Sequence, residues 1–118
     1  MIRIKGWMIL VRNATRDYLD FAALTAHAGE ARTRDALAPF DALYQDVDAR
    51  GRERDTLPSM QLLRQLAEPR PNDLDQRLLA DYQEIAPECS DWRRVASQCE
   101  TVAETLALSL GAPPSQVT

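Results

Sequence analysis

Phe40-Asp-Ala-Leu-Tyr-Gln-Asp-Val47 is the stretch whose reading decides the fold, because it recurs thirty-eight residues later as Leu78-Leu-Ala-Asp-Tyr-Gln-Glu-Ile85. The two copies share Ala, Tyr and Gln and differ conservatively at three further places. In the first, Phe40, Leu43, Tyr44 and Val47 fall at i, i+3, i+4 and i+7, a full apolar helix face. In the second, Leu74, Leu78, Tyr82 and Ile85 repeat that face, with Leu79 beside them. A breaker, a second apolar run and a proline-rich exit follow each copy: Ala67-Glu-Pro-Arg-Pro71 and Gly111-Ala-Pro-Pro114. The pattern predicts two helical hairpins in tandem, over 39–71 and 72–112.

Punctuation sets the helix limits. Pro39 suits a first turn, and Gly51 closes the helix that follows it. Arg50-Gly-Arg-Glu-Arg-Asp55 reads as a solvated charged loop, since a phosphate cradle needs several glycines and this has one. Pro58 opens the second helix, which runs to about Glu68, with Met60, Leu63 and Ala67 on one face and Leu62 and Leu66 alongside. Asn72 or Asp73 caps the third helix and Pro87 stops it. Ser90 or Asp91 caps the fourth, 91–110, whose face is Trp92, Val95, Ala96, Cys99, Val102, Ala103, Leu106 and Leu110.

Towards the N-terminus the periodicity changes. Asn13 or Thr15 caps a helix over 15–28 that carries Tyr18, Phe21, Ala22 and Ala28 and ends at Gly29. Glu30 to Leu37 is weakly patterned, with Arg32 and Arg34 facing water. Ile2 to Val11 reads as a strand, because Ile2, Ile4, Met8 and Leu10 alternate with Trp7, Ile9 and Val11. Trp7 to Val11 opening a first helix is the other reading. A lone strand needs a ladder partner, and a homodimer through Ile2–Val11 is one arrangement that would supply it. The fold expected is therefore mainly α: a compact single domain of about five amphipathic helices with an N-terminal strand-like segment (1–11), a first helix and connection (12–38), two hairpins and a frayed tail (113–118).

The 118 residues are 45% apolar and 27% charged, ordinary for a globular domain, with a net charge of −4. Residues 1–59 carry nine basic and nine acidic side chains and residues 60–118 five and nine, so the excess lies in the second half. That balance argues against nucleic-acid binding and favours a basic protein partner. Neither a secretory signal nor a run of about 20 apolar residues is evident, so the expectation is a cytoplasmic protein that does not enter a membrane. Cys89 and Cys99 read as free thiols, and with one histidine in the chain no Cys/His metal site forms; no cofactor is expected.

Over residues 39–112 the chain resembles tetratricopeptide-type helical hairpins, with Tyr82 where that family keeps an aromatic on its first helix and Pro69 to Asp73 like its inter-repeat turn. It departs in the offset, in lacking a glycine beside Leu78, and in lacking a clear small residue at the packing position of the second helix. The resemblance implies a groove that binds a helix or extended peptide, hence a non-enzymatic adaptor or dedicated chaperone. Phe40, Tyr44 and Tyr82 would line the groove, with Trp7 as a further interface anchor. An acidic immunity or antitoxin-type inhibitor is the alternative. A third reading, histidine phosphotransfer through His27, wants a lysine one turn on, where Glu30 and Ala31 stand instead. Paired acids such as Asp17 with Asp20 read as solvated helix faces or first-turn dipole partners, and Cys99 as core.

Overall fold

The computed structural model describes residues 1–73 and 91–110. Its elements are α1 (Ile2–Arg12), α2 (Thr15–Ala28), α3 (Glu30–Leu37), α4 (Phe40–Tyr44), α5 (Pro58–Ala67) and α6 (Trp92–Ser109). The chain is mainly helical, and no strand occurs among the described residues. The second copy of the opening repeat, Leu78–Ile85, lies outside them, as do Tyr82 and Cys89.

The N-terminal segment is the main correction. Ile2–Val11 belongs to a helix, with Gly6, Ile9 and Leu10 buried at i, i+3 and i+4 and Ile4 46% exposed. A strand would have left its ladder unpaired, whereas a helix satisfies those groups internally. Gly6 makes the packing close: a Cβ there would sit 3.2 Å from Leu62 Cδ2 and 3.5 Å from Phe21 and Phe40. Asn13 then ends α1 in the left-handed region (φ 49°), its N–H donating to the Ile9 carbonyl at 2.8 Å.

The next helix has the limits its sequence predicts, and Gly29 (φ 88°) separates it from α3. Its start is capped from afar: the Thr15 N–H donates to Asp73 Oδ1 at 2.7 Å. Tyr18, Leu19, Phe21, Ala22 and Thr25 face the core. The paired positions Tyr18 with Trp92 and Thr25 with Gln98 show α2 and α6 running side by side in the same direction. Along α6, Val95, Cys99, Val102, Ala103 and Leu106 form the buried stripe, and Asp91 caps it by accepting the Arg93 N–H at 3.0 Å. Side chains such as Phe21 and Phe40 each contribute about 1.5–3 kcal/mol by leaving water.

Two further expectations shift. The helix from Phe40 ends at Tyr44, so the predicted face does not reach Val47; Phe40 is buried but Leu43 and Val47 are exposed. On α5 the buried side is Ser59, Leu62 and Leu66, while Met60 and Ala67 face outward, so the stripe is rotated from the one predicted. The cause is polar: Asp41 accepts from the Ser59 N–H at 2.7 Å and from its hydroxyl at 2.5 Å, while Gln61 donates to the Gly51 carbonyl at 2.8 Å and accepts from the Glu53 N–H at 2.8 Å. These bonds order the 50–55 loop and hold α4 against α5. Gly51 (φ 90°) is required twice over, since a Cβ would meet the Val11 carbonyl oxygen at 2.6 Å.

Candidate functional site

Trp7, Phe40 and Tyr44, named from sequence as partner-binding residues, come together. Helix α1 presents Trp7 flat against Tyr44 (centroids 4.4 Å apart, planes 8° from parallel), and Tyr44 meets Phe40 edge-on at 4.9 Å. Phe40 is 1% exposed and acts as the floor of this cluster, with Trp7 and Tyr44 half-buried above it. Nearby in sequence the chain leaves aliphatic side chains in water: Leu43 on α4, Val47 after it, Leu57 before α5 and Met60 in its first turn. The Asp41–Ser59 bonds tie those two elements together.

A second concavity lies between α2 and α6. It has a volume of about 460 Å³ and is lined by Ala22, Ala23, Ala26, His27, Arg94, Val95 and Gln98. His27 is exposed at the C-terminal turn of α2, so sequence proximity to Glu30 does not describe its surroundings; Arg94, from a distant segment, shares its groove.

The ionisable groups are engaged structurally. Asp17, wholly buried, accepts from Arg12 Nη2 at 2.5 Å and Nε at 3.1 Å, and this pairing raises the Arg12 pKa. Of the two readings of Asp17 with Asp20, the first-turn position holds for Asp17 and the solvated one does not: Asp17 is in the core and Asp20 binds Lys5 at 2.9 Å. Burial pushes the Cys99 thiol up to about 12, the opposite of what a nucleophile needs, and raises the Tyr18 phenol. Among the described residues no group of His, Cys, Asp and Glu is arranged to hold a metal ion.

Sequence reasoning missed the densest polar contact. Asn13, read only as a cap, accepts from the Tyr18 hydroxyl at 2.5 Å and donates to the Arg70 carbonyl at 2.9 Å, while its own carbonyl accepts the Asn72 N–H at 2.9 Å. Gln65 reaches the same corner through the Ile9 carbonyl at 3.2 Å. The proline-rich exit is thus clasped onto the α1–α2 turn, a pairing of residues nearly sixty apart that no local pattern signals. Leu57 and Met60 were also missed as surface residues; the signal for them was Pro58, which fixes where the first turn faces.

Compared with known proteins, the chain matches no family model and no solved structure. It is similar to part of several mycobacterial membrane-transport proteins. A probable transport protein MmpL11 of Mycobacterium bovis and a heme uptake protein MmpL11 of Mycobacterium tuberculosis are each 36% identical over 103 residues, covering 86% of this chain. A mycolic acid-containing lipids exporter MmpL11 of Mycolicibacterium smegmatis is 33% identical over the same length. The chain spans about a tenth of the length of these relatives. Among the described residues no helix is long and apolar enough to cross a membrane.

Proposed function

We propose that the chain is a non-enzymatic helical interaction module, an adaptor or dedicated chaperone on the cytoplasmic side, that binds a partner protein through the surface around the Trp7–Tyr44 stack. The observation that carries this reading is that Leu43 of α4 and Met60 of α5 are exposed on two elements that the Asp41–Ser59 bonds tie together, with Val47 and Leu57 exposed in the segment between them. Contiguous apolar surface rimmed by charge marks interaction sites. Arg52, Arg54, Asp48 and Glu53, in the loop between α4 and α5, supply the charged rim. The net charge of −4 favours a basic partner face.

Co-purification from the host tests it. Leu43→Asp and Met60→Asp replace exposed side chains and should leave helix content and melting temperature unchanged while releasing the co-purified partner. Retention of the same partner by both variants would sink the proposal.

A further inference from the structure

We propose that the α2/α6 groove is a second docking surface, built for an amphipathic helix that carries an acidic residue near one end and uncharged polar residues near the other. This inference rests on the reading of the chain as an interaction module, but it names a different surface from the one around Trp7 and Tyr44.

The groove is longer than its first cavity. A second one of about 220 Å³, lined by Thr33, Thr101 and Thr105 among others, joins it across Ala26 and Gln98, which line both. Along α6 the lining runs from Arg94 to Thr105. At 1.5 Å per residue that is about 16 Å, three turns of helix. Helices α2 and α6 wall its first part, α3 joins them at the second through Glu30 and Thr33, and no sheet edge occurs among the described residues, so an extended peptide would find no ladder to join. Ala22, Ala23 and Ala26 of α2 leave this surface without large side chains.

Chemistry gives the occupant a direction. At one end the Arg94 guanidinium and the His27 imidazole are both exposed, and each can donate to a carboxylate. Neither has an ion-pair partner among the described residues, whereas Lys5, Arg12, Arg54 and Arg64 do. At the other end Glu30 is negative and repels a second acid. There Thr33, only 2% exposed, keeps a buried hydroxyl with no hydrogen-bond partner, and a buried polar atom left in that state costs free energy. Gln98 stands midway, its Nε2 held by Thr25 Oγ1 at 3.1 Å so that its carbonyl remains to accept. An incoming helix with a glutamate facing Arg94 and a serine or glutamine facing Thr33 would answer the two ends of the groove.

The test titrates the full ¹⁵N-labelled chain with a designed amphipathic peptide of about 14 residues. The peptide carries an Ala/Leu stripe, one Glu near the end that would face Arg94 and Ser/Gln near the other; a control replaces Glu with Lys. Saturable shifts at Ala23, Ala26, Gln98, Thr101 and Thr33 are expected with the Glu peptide only. Arg94→Ala should weaken binding by about threefold to fivefold, as for an exposed ion pair, and Arg94→Glu should reverse the preference towards the Lys peptide. Ala26→Trp, at an exposed position shared by both halves, should abolish binding without altering the melting temperature. Shifts confined to other surfaces, equal response to both peptides, or no saturation with the Glu peptide overturns the proposal. Because the Leu43 and Met60 variants leave this groove intact, a groove that fails while they still lose their partner leaves the interaction-module reading standing.

Discussion

At Asn13 the backbone turns left-handed while the side chain and carbonyl reach Tyr18, Arg70 and Asn72. Asparagine tolerates that conformation better than other residues with a Cβ, and its amide both donates and accepts. Asn13→Ala should therefore destabilise by about 2–3 kcal/mol, and Asn13→Gly by about 1 kcal/mol less, because glycine restores the backbone but not the bonds. Urea denaturation of both variants checks this; equal midpoints would show that the side-chain bonds alone matter. Cys99 gives a pH prediction with a definite sign. Its folded-state pKa is raised from an ordinary value near 9.0 to about 12, so the stabilisation is complete below pH about 9 and is lost as pH rises through that interval. Tyr18, raised by burial, acts in the same direction. In a Cys89→Ser background the native thiol should resist alkylation at neutral pH and show no thiolate absorbance until near pH 12, and stability should fall above pH 9 by up to about 1.4 kcal/mol per pH unit. Rapid alkylation of the folded chain at pH 7 would contradict it.

Helices α2, α5 and α6 were legible because their punctuation is strong: Gly29 after one, Pro58 in the first turn of another, Asp91 before the third. Ile2–Arg12 was not, because alternating Ile2, Ile4, Met8 and Leu10 imitate a strand while the residue that settles the matter, Gly6, has no side chain to enter a periodicity. The truncated α4 and rotated α5 were hidden for another reason. The phase of α5 is set by Ser59 and Gln61 reaching Asp41 and Gly51, partners that only the folded chain brings near. Of the candidate site, Trp7, Phe40 and Tyr44 were each legible as large anchors, but their stacking on one another was not, since it depends on α1 being a helix. The same helix supplies a contrast at Gly6. Gly6→Ala gains about 1 kcal/mol of helix propensity and needs Leu62 to yield only a few tenths of an ångström, so it should be near neutral. Gly6→Leu has no such room between Leu62, Phe21 and Phe40 and should cost about 1–3 kcal/mol. Thermal melts of the pair decide it; similar losses for both would mean that α1 does not lie this close.

For the whole molecule, net charge and local charge point to different partners. The acidic excess of the second half suits a basic face, while Arg94 stands at one end of the α2/α6 groove. On the reading proposed above, two such surfaces would let the chain bridge two proteins. The clasp between Asn13 and Asn72 bears on how such a module can vary. It closes nearly sixty residues into a ring without a covalent bond, and the entropy of closing a ring grows only with the logarithm of its length. Insertions at the exposed loop tip near Arg54 and Asp55 would therefore enlarge the ring at little entropic cost, whereas a change at either asparagine would remove its side-chain bonds and leave the backbone bond alone to hold it. Length is the cheap variable in this architecture and identity at the clasp the expensive one.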